Sequence, residues 1–257
     1  MGNLLELTAL AEPSHFWFHG LRAYVIPVIN EIAGHRRDLR IIDCGCGTGY
    51  NLDVLLRPYG QTFAFDLNDD SMWRARKTGR PIVRANMEHI PFAANSFDLA
   101  TSFDVLQSVP DDRKALREMA RVIRPGGHVM LNVTALDIMR GDHSDVWGEL
   151  RRYNTARASR LMADAGLEVV RISYLFASLL PLMLAVRKAQ AMCRPFREPK
   201  GDADLSVPSA PVNATLTWLV KREAALARRV RMPFGSSLLM VGKKPRPQAS
   251  GPRPQGS

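Results

Sequence analysis

Ile41-Ile42-Asp43-Cys44-Gly45-Cys46-Gly47-Thr48-Gly49 is the stretch that decides the fold. Two β-branched apolar residues predict a buried strand, an acid closes it, and three glycines at alternate positions predict a tight loop ahead of a helix. Such a loop lets backbone N–H groups approach a ligand with no side chain in the way. A dinucleotide fingerprint, Gly-x-Gly-x-x-Gly/Ala, needs its third small residue at position 50. That position holds Tyr50, and the third glycine falls at Gly49 instead. Asp43 would repel a pyrophosphate, whereas a ligand bearing an ammonium and a sulfonium suits it.

The next strand, over 61–66, ends at Asp66. An acid about 20 residues after the first glycine is placed to grip ribose hydroxyls. Asn68 stands closer to the helix expected from Asp69 and is the better N-cap, which leaves Asp66 for a ligand. Further on come Ala85-Asn86-Met87-Glu88-His89-Ile90-Pro91-Phe92, Asn95-Ser96-Phe97-Asp98-Leu99-Ala100, Asp104-Val105-Leu106-Gln107-Ser108-Val109 and Arg121-Val122-Ile123-Arg124-Pro125-Gly126-Gly127. Taken with the glycine loop, this set spans residues 39–133. It resembles the motifs of the class I S-adenosylmethionine-dependent methyltransferases, in a type 11-like bacterial branch.

The resemblance implies a site. Asp43 and the loop of Gly45, Cys46, Gly47 and Gly49 would hold the methionine part of S-adenosylmethionine. Asp66 would hold the ribose with Leu67 beside it, Asn86 and Met87 would face the adenine, and Phe103 would line the same pocket. Asn86 replaces the family's acid, and its carbonyl oxygen still accepts a hydrogen bond. Ser108 replaces the usual His and Gln107 the usual Glu. Pro125-Gly126-Gly127 reads as a sharp reversal between a helix and a strand.

The alternation of strands near 39–44, 61–66, 81–85, 97–103, 127–134, 167–174 and 236–243 with helices near 20–33, 50–58, 69–78, 111–123 and 154–165 argues for an α/β fold. The expectation is a Rossmann-like, doubly wound, seven-stranded and mostly parallel sheet. Its last strand is antiparallel, as the resemblance implies, and a helical insertion precedes that strand. The expected organisation is an aromatic and helical cap over 1–38, a cofactor-binding core over 39–174, the insertion over 175–233, a final core strand over 234–244 and a disordered tail over 245–257.

The chain has 257 residues and a formal net charge of +10. Residues 187–257 hold 14 Lys and Arg against 4 Asp and Glu, so the whole excess is C-terminal and the remainder is neutral. Three cysteines, two of them inside the glycine loop, suggest neither a disulfide framework nor a metal site and fit a reducing cytoplasm. The N-terminus lacks the pattern of a signal peptide. The insertion opens with an apolar run over 174–186, too short to span a bilayer. With Arg187 and Lys188 behind it, the run reads either as a helix at the anionic inner face of the membrane or as a lid over the pocket or a dimer contact. An amphipathic helix is expected over 213–230, with Asn213 as its N-cap.

Ser14-His15-Phe16-Trp17-Phe18-His19-Gly20 and Gly141-Asp142-His143-Ser144-Asp145-Val146-Trp147 are the aromatic and histidine clusters of the acceptor side. His143 leads as a candidate base or substrate contact, followed by His19, then His15 and Tyr153. A sulfonium carbon is already activated, so alignment of the nucleophile is the main requirement, and a base is needed only for an acceptor that keeps its proton. The leading expectation is in-line methyl transfer from S-adenosylmethionine to an oxygen or nitrogen of a small or lipid-linked acceptor. RNA methylation by the basic C-terminal region is a weaker alternative, because no RNA-binding module is recognisable. A non-catalytic cofactor-binding or membrane-recruited scaffold is the third. DNA is not expected as a partner, and the oligomeric state stays open.

Overall fold

The computed structural model describes residues 2–193 and 205–247. Two N-terminal helices, α1 (Gly2–Ala11) and α2 (Phe16–Ala33), precede β1 (Leu39–Cys44), β2 (Gly60–Asp66), α3 (Asp69–Ala75), β3 (Ile82–Arg84), β4 (Phe97–Phe103), α4 (Asp112–Val122) and β5 (Ile123–Thr134). Then follow α5 (Asp142–Val146), α6 (Thr155–Asp164), β6 (Glu168–Leu175), α7 (Leu180–Cys193), α8 (Ala210–Ala227) and β7 (Ser237–Lys243). One seven-stranded sheet runs in the order β3-β2-β1-β4-β5-β7-β6, with β7 antiparallel to both β5 and β6. This is the expected Rossmann-like α/β sheet with its antiparallel final strand.

The central strands β1 and β4 are buried along nearly their whole length, as strands covered on both faces must be. One face packs on α4 and α6 through Leu116, Met119, Leu161 and Met162. The other packs on α2 and α8 through Val25, Ile29, Val220 and Ala224. The strands' carboxyl ends therefore open to one side, where the glycine loop, the N-terminal helices and α7 meet.

Three local expectations are corrected. Residues 50–58 form no plain α-helix: Leu52–Leu56 is a π-helical turn and Arg57–Tyr59 a 3₁₀ turn. Arg124-Pro125-Gly126-Gly127 is not a reversal but lies inside β5. There it makes a wide bulge, because Ile123 pairs with Phe97 and His128 with Leu99. A side chain at Gly127 would come within 2.8 Å of the Asp98 carbonyl, so the bulge needs glycine there. The carboxylate of Asp98 pins this end of the sheet, taking Arg36, Arg124 and the backbone N–H of Arg40.

The third correction concerns Asn213. Helix α8 starts earlier, with Ser209 at its N-cap. Asn213 instead clamps the aromatic segment: its Oδ1 accepts from Phe16 N–H at 2.9 Å and its Nδ2 donates to the Ser14 carbonyl at 2.9 Å. Behind the clamp, Trp17 stacks on Phe176 at 3.9 Å, and Gly20 lets α2 approach Phe176 and Val220. The buried carboxylate of Glu223 on α8 accepts from the N–H groups of Ala177 and Ser178. That fixes the lead into α7. The expected tail lies almost wholly outside the described residues, as does the loop between α7 and α8 up to residue 204.

Candidate active site

The loop after β1 is tied to β2. Gly45 N–H and Cys46 N–H both donate to the Phe65 carbonyl, at 2.9 and 3.1 Å. Gly45 has φ +80°, and a Cβ there would lie 2.7 Å from Val105. Gly47, with φ +53°, has open space where its side chain would be. Gly49 behaves differently: a Cβ there would lie 2.7 Å from the Ala75 Cα, so glycine lets the loop pack on α3, and Gly49 does not line the cavity beyond. Asp66 stands at the loop with both oxygens engaged, one accepting from Gly47 N–H at 2.8 Å and the other from Asn68 N–H at 2.9 Å. Each oxygen keeps a second lone pair for a ligand. Asn68 caps α3, as expected, accepting from Asp70 and Ser71 N–H.

Asp43 is buried and accepts from the Thr101 hydroxyl at 2.8 Å. Burial pushes its carboxyl up to about 7; the Thr101 hydrogen bond opposes that, and Asp66 and Glu12 reinforce it. Glu12, at the end of α1, accepts from the Thr48 hydroxyl of the loop at 2.5 Å. Burial lifts it also to about 7, against Thr48 and Arg22. Three carboxylates thus face one cavity mouth. Carboxylates held unwillingly neutral by burial are ionised most readily by a cation placed among them. Burial raises the Cys46 thiol, so it is no thiolate nucleophile.

From this mouth a cavity of about 690 Å³ runs under the N-terminal helices and α7. Asp43, Gly45, Cys46, Gly47, Asp66 and Phe103 line it. Leu182, Met183, Val186 and Arg187 of α7 form part of its roof, and Phe16, Trp17 and Phe18 form an aromatic wall. The wall beyond the end of β4 is polar. Asp104 follows β4 with φ +57°; its N–H donates to the Asn132 carbonyl at 2.9 Å and its Oδ1 accepts from Asn132 Nδ2 at 2.7 Å. The carboxylate is surrounded by protein yet open to the cavity. Burial lifts it to about 7, helped by Glu149 and opposed by Asn132 and Arg152. Glu149 pairs with Arg152 at 2.8 Å, and Arg152 also donates to the Ala135 carbonyl and the Ser144 hydroxyl.

The candidate residues divide accordingly. His143 lines the cavity, its Nε2 3.9 Å from Glu149, and its ring centroid lies 5.7 Å from that of Trp147. His15 also lines it while capping α2 through Trp17 N–H. His19 does not line it: its ring sits 3.5 Å from Arg22, and burial, with Arg22 and Lys221, lowers its pKa. Tyr153 is a core residue whose hydroxyl donates to Asp112. Leu67 is exposed, Met87 is buried, and Asn86 Oδ1 accepts from Glu88 N–H; these three do not line the cavity. The sequence reading missed Glu12, Thr48, Asp104, Glu149 and Arg152. For Asp104 a signal existed: it is the third acid to close a central parallel strand, after Asp43 and Asp66.

Residues 42–131 match the family model described as a methyltransferase domain, and the domain belongs to the class I S-adenosylmethionine-dependent methyltransferase superfamily. S-adenosylmethionine is the cofactor of that class, and the glycine loop with its anionic mouth fits it. Over 112 residues the chain is 35% identical to the ubiquinone/menaquinone biosynthesis C-methyltransferase UbiE of Klebsiella pneumoniae, covering 39% of this chain and 45% of that protein. The chain thus spans less than half the length of the curated relatives it matches. Its fold is similar to phosphoethanolamine N-methyltransferase 2 of Haemonchus contortus, solved with S-adenosyl-L-methionine (TM-score 0.63, 15% identity, 96% of this chain and 58% of that one). An S-adenosylmethionine-dependent methyltransferase from Mesorhizobium loti is also similar (TM-score 0.55, 17% identity, 84% and 96%). At such identities these two likenesses speak for the fold alone.

Proposed function

We propose that this chain transfers a methyl group from S-adenosylmethionine to a small or lipid-linked acceptor held in the same chamber. The carrying observation is continuity: one cavity joins Asp43, Gly47 and Asp66 to the aromatic and polar walls beneath α7. Cofactor and acceptor would meet there with little water between them, which favours in-line attack on the sulfonium carbon. Asp43 and the loop would hold the methionine end, and Asp66 the ribose. Asn86 and Met87 would meet the adenine where it emerges from the enclosed part.

The acceptor's character follows from the walls. Aromatic and aliphatic side chains enclose an apolar body, and the far wall takes a polar group. Exposed Met192, Trp218 and Leu226 stand on α7 and α8 among basic residues such as Lys188 and Arg222. That surface suits peripheral contact with an anionic membrane, from which a lipid-linked acceptor would enter. Among the described residues no helix is long and apolar enough to cross a membrane. The printed name of the UbiE relatives adds a ring precursor of a quinone, methylated at carbon, as one such acceptor. Incubation with methyl-labelled S-adenosylmethionine and fractionated cell extract tests the proposal. Label in a lipid or small-molecule fraction supports it; label in RNA or protein, or none in any fraction, overturns it.

A further inference from the structure

The far wall of the chamber carries polar atoms that the fold does not use. Thr134 Oγ1, Ser236 Oγ, Ser237 Oγ, Gln107 Oε1 and Trp147 Nε1 are buried without a hydrogen-bond partner, and all five residues line the cavity. Thr134 and Ser237 are direct cross-strand partners on β5 and β7, so their hydroxyls stand side by side. Unsatisfied buried groups are costly, so a cluster of them beside a cavity points to a bound molecule that satisfies them. The set mixes donors with acceptors, and a ligand hydroxyl group can answer both.

Charge narrows the class. Two acids, Asp104 and Glu149, and two bases, Arg152 and Arg187, line this end of the cavity, and their formal charges cancel when all four are ionised. A neutral subsite gives neither an ammonium nor a carboxylate an advantage. Within it Glu149 is matched by Arg152, while Asp104 is held by Asn132 through one oxygen and opens to the cavity with its carboxylate.

We infer that this wall is the acceptor subsite for a neutral, hydroxyl-bearing head group on an apolar body, with Asp104 as the base that takes the hydroxyl proton. The inference rests on the methyl-transfer reading and specifies its acceptor. In the step, the acceptor oxygen forms its bond to the methyl carbon as the carbon–sulfur bond breaks. The electron pair of that bond returns to sulfur, which becomes a neutral thioether, and the O–H proton passes to the Asp104 carboxylate. Thr134, Ser237 and Gln107 orient the head group, and the aromatic wall with α7 covers its body.

The test uses the full chain saturated with S-adenosylhomocysteine and titrated by calorimetry with three probes that share a hexylphenyl body: 4-hexylcatechol, 4-hexylbenzylammonium and 4-hexylbenzoate. The catechol binds at least tenfold more tightly than either ion. Its affinity falls at least tenfold in Thr134→Val and Ser237→Ala, while S-adenosylhomocysteine affinity and melting temperature show that those variants are folded. Asp104→Asn still binds the catechol but loses methyl transfer to it about a hundredfold or more, the usual scale for a lost general base. Tighter binding of either ion, no binding of the catechol, an affinity indifferent to Thr134 and Ser237, or full transfer by Asp104→Asn overturns the inference. Absence of S-adenosylhomocysteine binding would instead overturn the cofactor reading beneath it.

Discussion

Cofactor affinity tested at several pH values probes the anionic mouth most sharply. Asp43 and Glu12 both face the glycine loop, and burial lifts each to about 7. Only their ionised forms attract a ligand carrying an ammonium and a sulfonium. A carboxylate titrating at about 7 is about 10% ionised at pH 6 and about 90% at pH 8, from the definition of the pKa. A cation that needs it ionised gains about tenfold in affinity over that range, and two such groups give up to about a hundredfold. Calorimetric titration with S-adenosylmethionine at pH 6, 7 and 8, in buffers of differing protonation heat, reads both the affinity and the protons released. The rise is steepest for the wild type and falls to about tenfold in Asp43→Asn, with fewer protons released. S-adenosylhomocysteine, which lacks the sulfonium charge, shows a shallower rise. An affinity flat across this range, or falling with pH, would show that Asp43 and Glu12 do not hold the cofactor's positive charge.

The same carboxylates affect stability. Raised in the folded state above their ordinary values near 4, Asp43, Glu12 and Asp104 bind more protons folded than unfolded between about pH 4 and 7. The ligand-free protein therefore melts at a lower temperature as pH rises through that window, and cofactor removes part of the decline; scanning calorimetry with and without S-adenosylmethionine checks it. Gly45→Ala drives a methyl into Val105 and forces alanine to φ +80°, so it lowers melting temperature and cofactor affinity together. Gly47→Ala meets open space, so it loses cofactor affinity with a smaller thermal shift. Asn213→Ala removes two clamping hydrogen bonds and destabilises the chain by about 1–2 kcal/mol, read from denaturant midpoints.

The sheet was legible because its signals are local. Ile41-Ile42-Asp43, the helix-cap role of Asn68 and the alternation of apolar strands with amphipathic helices each follow from neighbouring residues, and the strand positions matched within a few residues. The bulge at Pro125-Gly126-Gly127 was not legible, since its cause is the Asp98 backbone on the neighbouring strand. Asn213 looked like a cap because Asn caps helices, and only packing shows it gripping residues almost two hundred positions away. The polar wall of the cavity was hidden for the same reason. Thr134 and Ser237 are ordinary strand residues until pairing brings them together, and Glu149 gains meaning only beside Arg152 and Asp104. Histidines drew the eye as candidate bases, yet His19 packs beside Arg22, away from the chamber.

The central claim is that the turn after β1 and the acid closing β2 form a seat for a sulfonium nucleoside. Titration of the purified chain with S-adenosylmethionine, S-adenosylhomocysteine and NAD, for wild type and Asp66→Ala, tests it most directly. Both adenosyl ligands bind saturably and NAD does not bind. Asp66→Ala loses about ten- to hundredfold in affinity, as expected when a charged hydrogen-bond acceptor is removed. Binding of NAD with no heat from either adenosyl ligand, or an Asp66→Ala affinity equal to wild type, would contradict it.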